Sequence, residues 1–192
     1  MKKWLGYGGV AASVVLIAFG IGSIVIGFNG RGEVRDRLAQ QKITATPDAA
    51  EITNGKLQPG ALIDTGAEAK QFANIMQFHA LEATGGKYYA EMGRFLTPAG
   101  KDTNDEAAAA KDPKTGRPVE NGARNLWVTQ TALSTALNTS FFAEQVALFS
   151  IVMGFALLLT GIGFLVLTLG GALGLVPVPT WRHKLETASA AT

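Results

Sequence analysis

The chain has 192 residues, of which 47% are hydrophobic and 17% are charged, and its formal net charge is +2. It contains no cysteine, which excludes disulfides, thiolate metal sites and cysteine nucleophiles, and so small a net charge gives no reason to expect nucleic-acid binding. The hydrophobic residues are concentrated near the two ends of the chain, and this uneven distribution decides the class of protein.

The first predicted element is a transmembrane helix over residues 4–28, after a short start at residues 1–3. No Asp, Glu, Lys, Arg or His lies between Lys3 and Arg31, and a helix needs about 20 apolar residues to cross the roughly 30 Å hydrocarbon core. A cleaved signal peptide is the alternative, since two lysines precede the run. The run is nearly twice the length of a signal-peptide core, about 7–15 residues, and lacks a small-residue cleavage site. We therefore favour a retained span.

A small helical domain is predicted over residues 29–122, between the two spans. Its first part, Glu33–Gln41, has good helix formers and is expected to extend the first helix as far as the break at Pro47. Residues 97–121 are polar and rich in turn residues, so we expect a solvated flexible loop there. A helical turn within Asp105–Lys111 is the alternative for part of that loop.

A helical hairpin is predicted over residues 65–96. Thr65 is a plausible N-cap, and Glu68 three residues later completes a capping box, while Gly85-Gly86 is a typical helix end. A second, shorter helix is expected over Lys87–Leu96. Six residues of the first helix fall on one face at helical spacing: Phe72, Ile75, Met76, His79, Ala80 and Ala83.

A long helix is predicted over residues 123–176, with a membrane span over about 145–176 and a tail at 177–192. No Pro or Gly interrupts Ala123–Met153, so one continuous helix is the simplest interpretation. Its apolar stripe is expected to pack against the hairpin and consists of Leu126, Leu133, Leu137 and Phe141. The fold class is therefore mostly α, with two transmembrane helices flanking a small helical domain.

The distribution of Lys and Arg predicts both termini in the cytoplasm and the loop domain outside it, in a multi-pass protein of the plasma (inner) membrane. The flank before the second span, Asn125–Gln145, has no Lys or Arg, whereas Arg182 and Lys184 follow that span. Lys2 and Lys3 agree with this orientation. Three arginines after the first span oppose it: Arg31, Arg35 and Arg37.

Residues able to carry chemistry are few. The two histidines, His79 and His183, are expected on opposite sides of the membrane, so they cannot share a metal ion. His79 has Glu82 one turn on, but it lies on an apolar stripe, and we expect a packed or hydrogen-bonded core histidine rather than a metal or acid–base site. The other loop carboxylates are scattered and fit no calcium loop: Glu91, Asp102, Asp105 and Glu106. We predict no catalytic, cofactor-binding or metal site.

Small residues within the spans suggest close helix packing. Pairs four residues apart are Ala18/Gly22, Ser23/Gly27 and Gly170/Gly174. Such faces predict packing of the two spans on each other, on a membrane-protein partner or on a second copy, with the lipid bilayer as the surrounding medium. Neither span contains an ionisable residue that could mark an ion pathway, which speaks against transport.

The segments His79–Lys101 and Ala107–Gln145, together with the first span, resemble an uncharacterised actinobacterial family of two-span membrane proteins. Members of that family sometimes carry the label aromatic ring-opening dioxygenase, or LigA. The label would imply a non-haem iron enzyme, whose site needs clustered histidine and carboxylate ligands. The residues here do not support that label, and the two spans leave no room for such a fold.

The leading hypothesis is a non-enzymatic envelope protein, an accessory or structural component that binds other membrane or envelope proteins. The first alternative is an extracytoplasmic ligand-sensing module, which would signal through a partner because its predicted tail is short. The second is a membrane-anchored enzyme, which would need a convergent polar pocket near His79, Glu82 or Glu91.

Overall fold

A computed structural model describes residues 2–170. Its elements are helices α1 (Lys2–Gln40), α2 (Ala49–Ile52) and α3 (Gly66–Ala83), a 3-10 turn (Tyr89–Glu91), strands β1 (Phe95–Leu96) and β2 (Asp102–Thr103), and helix α4 (Gly122–Leu169). These residues form two compact units: residues 2–29 with 147–170, called the paired-helix unit, and residues 30–146, called the central unit. The end of the predicted second span and the predicted tail, with His183, Arg182 and Lys184, lie outside the described residues.

Two helices within residues 2–170 are long and apolar enough to cross a membrane: Gly6–Gln40 and Gly122–Leu169. Helix α1 has 39 residues and α4 has 48. At about 1.5 Å per residue they extend for about 58 Å and about 72 Å, against a hydrocarbon core of about 30 Å. Helix α1 continues beyond Glu33, as predicted, and the uninterrupted helix predicted over Ala123–Met153 is confirmed.

The two helices of the paired-helix unit contact each other through small residues seven positions apart. A Cβ placed at Gly20 would lie 2.7 Å from the backbone nitrogen of Leu158, and one at Gly161 would lie 2.9 Å from that of Ile17. Backbones approach so closely only where side chains are small, and a seven-residue repeat is that of a coiled-coil seam. The buried series are Gly6, Ser13, Gly20 and Gly27 of α1, and Ala147, Gly154, Gly161 and Thr168 of α4.

Of the small-residue pairs singled out in the sequence, only Ser23/Gly27 has a member in the contact between these helices, and packing of the other pairs on a partner stays a prediction. Ala18 is exposed, and a Cβ at Gly22 would have nothing within 4 Å. A Cβ at Gly170 would meet only the Val166 carbonyl of its own helix, and Gly174 lies outside the described residues. Gly27 does take part, but as a member of the seven-residue series. Two small residues four positions apart can occur on any face of a helix. The observed contact instead follows the seven-residue repeat of small residues that both helices share.

The main core of the central unit forms where helices α1, α3 and α4 pack together. Its buried members are Leu38, Ala45, Ala49, Leu57, Ile63, Ala69, Ala73, Ile75 and Leu137. Ile63 and Ile75 are completely buried, and burying such a side chain contributes about 1.5–3 kcal/mol. The connection from α1 to α3 is attached to this core by short α2 and by backbone hydrogen bonds from Ala45 to Ala61 and from Ile63 to Ile43.

The face that α4 buries differs from the predicted leucine stripe. Leu137 is buried and Phe141 half-buried, but Leu126 and Leu133 are 41% and 51% exposed. The buried positions of α4 within the central unit are Trp127, Gln130, Leu137 and Glu144. Hydropathy alone misplaced this face because Gln130 and Glu144 are polar. Each has hydrogen-bond partners that make its burial tolerable.

The first helix of the predicted hairpin is confirmed as α3. The Glu68 N–H donates to the Thr65 hydroxyl at 3.3 Å, and the Thr65 N–H donates to the Glu68 carboxylate at 2.9 Å, which completes the capping box. The helix ends before Gly85 and Gly86, whose φ angles of +63° and +79° suit glycine.

The second helix, predicted over Lys87–Leu96, is wrong. Only the 3-10 turn forms, and the chain then enters β1, which pairs antiparallel with β2. The cause is Gly93: its N–H donates to the Asp102 carboxylate at 2.8 Å, and its carbonyl accepts from the Asn121 side chain at 3.0 Å. A Cβ at this position would overlap the backbone of Thr103, so distant residues take the bonds that a helix would need.

Residues 97–121, expected to be a flexible loop, are attached to β1 by backbone hydrogen bonds. The Leu96 N–H donates to the Val119 carbonyl at 3.0 Å, and the Ala110 N–H donates to the Leu96 carbonyl at 2.8 Å. Ala109 is buried. No helical turn forms within Asp105–Lys111. The loop is therefore an ordered return from β1 to the start of α4.

Candidate functional site

Glu144 is a buried carboxylate that joins three helices within the central unit. The Nε atoms of Arg31 and Arg35, both in α1, donate to its Oε1 atom at 2.8 Å each. The N–H of Gly66, the first residue of α3, donates to its Oε2 atom at 2.7 Å. The carboxylate therefore meets the positive end of α3 as well as two guanidinium groups.

Glycine is required at position 66 for this contact. A Cβ there would lie 2.9 Å from Oε2 of Glu144 and 2.8 Å from the Cα of Phe141. Sequence reasoning used Glu144 and the arginines only as markers of membrane orientation and missed their contact. A usable signal was present, because Glu144 is the only Asp, Glu, Lys, Arg or His between Arg124 and Arg182. The cluster is a structural clamp, since every carboxylate oxygen has a partner from the chain itself.

A cavity of about 590 Å³ lies between the C-terminal part of α1, helix α3 and helix α4 in the central unit. Most of its lining is aliphatic or aromatic. The lining residues are Arg37, Leu38, Gln41, Ile43, Phe72, Met76, Leu133, Ala136, Leu137 and Ser140. Binding sites for small molecules commonly have about 300–1,000 Å³ and a mainly apolar lining with a few polar groups. This cavity has both properties.

A second cavity, of about 360 Å³, lies further along α3 and α4. It shares Met76 and Leu133 with the first cavity and is lined in addition by Ala80, Ala83 and Leu126, and by His79, Thr129 and Gln130. The two cavities thus meet at two side chains and follow the same pair of helices. We call them together the α3–α4 recess.

His79 is a half-exposed histidine at the edge of the recess, not a fully packed core residue. Its Nε2 atom is 2.7 Å from Oδ2 of Asp48, and the two side chains are 38% and 42% exposed. Its partner is therefore a residue of the α1–α3 connection rather than Glu82 one turn on. Within residues 2–170, no group of three or more His, Asp and Glu side chains is arranged to hold a metal ion.

Trp127 is a buried residue near the start of α4 that was not singled out in the sequence. It is 5% exposed and packs with Ala80 and Met92 in a second, smaller core cluster. Its indole N–H donates to the Lys87 carbonyl at 2.9 Å. The Tyr88 ring lies 5.4 Å away, centroid to centroid. Trp127 thereby attaches the segment that precedes the 3-10 turn to α4.

Three of the remaining carboxylates considered as ligands accept hydrogen bonds from backbone N–H groups instead. Glu91 accepts from the Tyr88 N–H at 2.7 Å, and Asp105 accepts from the Ala107 N–H at 2.9 Å. Asp102 accepts from the Gly93 N–H. That hydrogen bond and the nearby Lys87 charge lower the pKa of Asp102 below its ordinary value of 3.8. These side chains organise the backbone of the loop and do not converge on a common point.

The described residues define a mostly helical protein with two helices that could cross a membrane and a central unit containing an apolar recess. Comparisons with protein-family models, with curated proteins and with solved structures find no match. The recess and the side chains around it are therefore the described features that bear on function.

Proposed function

We propose that this chain is a non-enzymatic, two-span membrane protein of the cell envelope whose central unit binds another membrane or envelope component. The observation that carries the proposal is the α3–α4 recess, an apolar surface left open along two helices. Burial of apolar surface is the main favourable term in most associations, and an apolar patch left exposed on a folded unit typically marks an interaction site.

The polar residues near the recess support a binding role rather than catalysis. Arg37 is paired with Glu33 at 2.7 Å and His79 with Asp48 at 2.7 Å, so the ionisable side chains of the lining already have partners. An acyl-transfer or hydrolytic site would need a nucleophile, a base and donors that converge on one point. The polar groups here face their own neighbours instead.

The proposal includes a location in the plasma membrane, with both termini in the cytoplasm and the central unit outside it. The support is the second span, which has a Lys/Arg-free flank at Asn125–Gln145 before it and Arg182 and Lys184 after it, together with Lys2 and Lys3 before the first span. The arginines that follow the first span oppose this orientation. Membership of the actinobacterial two-span family belongs to the same proposal. A second candidate, a ligand-sensing module that acts through a partner, is favoured by the size of the larger cavity, which suits a small ligand.

The test is co-purification from native membranes. The tagged full chain would be extracted with a styrene–maleic acid copolymer, which retains neighbouring lipids and proteins, and the particles analysed by mass spectrometry. Ala136→Phe fills the recess. Ala132→Phe is the matched control, because Ala132 is an exposed alanine one turn away that lines neither cavity. We expect a component enriched with the wild type and the control but lost with Ala136→Phe. Identical components in all three samples would refute the proposal.

A further inference from the structure

Four polar, uncharged side chains line the α3–α4 recess: Gln41, Thr129, Gln130 and Ser140. The last three bond to the chain itself. The Thr129 hydroxyl donates to the Asn125 carbonyl at 3.3 Å, and the Ser140 hydroxyl donates to the Ala136 carbonyl at 3.2 Å. The Gln130 amide donates to the Ser134 hydroxyl at 2.7 Å. Because these groups are engaged within α4, a ligand would meet mainly their carbon atoms.

The charges of the recess are compensated in the same way. Among its described lining residues the ionisable side chains are Arg37 and His79. Glu33 accepts two hydrogen bonds from Arg37, at 3.0 Å and 2.7 Å, and Asp48 is 2.7 Å from His79. Because each of these side chains already faces a carboxylate, a charged ligand would gain little net attraction from them. Charge complementarity therefore favours an uncharged occupant.

The arrangement of the recess suits an elongated ligand. Its two parts, of about 590 Å³ and about 360 Å³, meet at Met76 and Leu133 and follow α3 and α4 one after the other. Each part lies within the usual range of small-molecule sites, about 300–1,000 Å³.

We infer that the recess binds one hydrocarbon chain of a membrane phospholipid, with the headgroup outside the recess. The inference depends on the proposed function, since it names the component that the central unit binds. Helices α1 and α4 each continue from the proposed spans into the central unit, so phospholipid is a nearby source of such a chain. The favourable free energy comes from burying the methylene groups against Phe72, Met76, Leu133 and Leu137, and no hydrogen bond to the chain is required.

Photo-crosslinking in vesicles tests this inference. The purified full chain would be reconstituted in palmitoyl-oleoyl phosphatidylcholine vesicles that contain a phosphatidylcholine with a diazirine on one acyl chain. After irradiation, labelled peptides are mapped by mass spectrometry. Peptides of the paired-helix unit serve as the internal standard for contact with lipid. We expect additional labelling of the recess peptides, which contain Phe72–Met76 and Leu133–Ser140.

The two alanine-to-phenylalanine variants, at positions 136 and 132, provide the specificity control. We expect Ala136→Phe to lower labelling of the recess peptides by about tenfold, equivalent to about 1.4 kcal/mol, with no change in the internal standard. Ala132→Phe should label as the wild type does. Leu133→Gln is a second variant, chosen because its side chain is half exposed and its substitution should not prevent folding. It should also lower labelling of the recess peptides.

Two results would overturn the inference. One is absence of label in the recess peptides while the paired-helix peptides are labelled. The other is equal labelling of the recess peptides in the wild type, in Ala136→Phe and in Ala132→Phe, which would indicate surface contact only. If label is absent but a protein partner co-purifies and is lost with Ala136→Phe, the hydrocarbon inference fails and the proposed function stands. If no component depends on position 136 in either experiment, both fail.

Discussion

Replacing Glu144 by alanine removes the carboxylate that Arg31, Arg35 and Gly66 share. The Gly66 N–H lies at a buried helix start, and a buried donor left without a partner costs about 1–3 kcal/mol. The arginine side chains are 38% and 41% exposed. Water can therefore replace much of each lost ion pair, which is worth about 0–1 kcal/mol. Adding one lost donor partner and two exposed ion pairs, we expect Glu144→Ala to lower the free energy of unfolding of the central unit by about 1–5 kcal/mol.

The matched control is Glu33→Ala. Glu33 pairs with Arg37 one turn away, and both side chains are mostly exposed, so its loss should cost about 0.3–0.5 kcal/mol. Glu144→Gln separates the contributions further, because its amide oxygen can still accept from the Gly66 N–H while the charge is gone. We expect a loss between those of the two alanine variants.

The assay is denaturant unfolding in detergent, followed by tryptophan fluorescence. The chain has three tryptophans. With Trp4→Phe and Trp181→Phe, the remaining Trp127 reports on the central unit, where it is buried. If Glu144→Ala costs no more than Glu33→Ala, the three-helix clamp is not a stabilising contact. If Glu144→Gln costs as much as Glu144→Ala, the Gly66 hydrogen bond is not the larger contribution.

Three further predictions concern the helix pair, the loop and the topology. Gly20→Leu should separate the paired helices by overpacking, at a cost of about 1–3 kcal/mol, whereas Gly22→Leu should not, because Gly22 faces open space. Energy transfer between labels on α1 and α4 during an SDS titration would show the difference. Equal titration midpoints for the two variants would contradict the prediction. Asp102 has a lowered pKa, so its contribution to stability is present above its unfolded-state pKa and is lost as the pH falls below about 3.8. Asp102→Asn should lack that part of the acid-dependent loss in the fluorescence assay, and an unchanged pH profile would contradict the assignment. In this cysteine-free chain, Lys114→Cys should react with a membrane-impermeant thiol reagent in intact cells and Ser189→Cys should not; the reverse pattern would invert the proposed topology.

The sequence pattern predicted correctly what depends on local bonds and on length. The capping box of Thr65 and Glu68 closes within one turn, and the end of α3 before Gly85 and Gly86 depends on backbone freedom at those two adjacent positions. The unbroken helix α4 follows from the absence of Pro and Gly across Ala123–Met153. Each of these features has a free energy set by residues a few positions apart, so the sequence window contains the whole cause.

The tertiary structure decided which residues of those helices are buried and where the second predicted helix gives way to a strand. Gln130 and Glu144 could be assigned to the buried face only once their partners were known, and the partners of Glu144 lie 78 to 113 positions away. The sequence around Gly93 predicts a helix, but in the fold the Gly93 N–H donates to Asp102 and its carbonyl accepts from Asn121. The recess likewise exists only because α1, α3 and α4 leave space where Leu133 is not covered. Burial of a polar group is decided by its hydrogen-bond partner, and a partner distant in sequence is defined only by the fold.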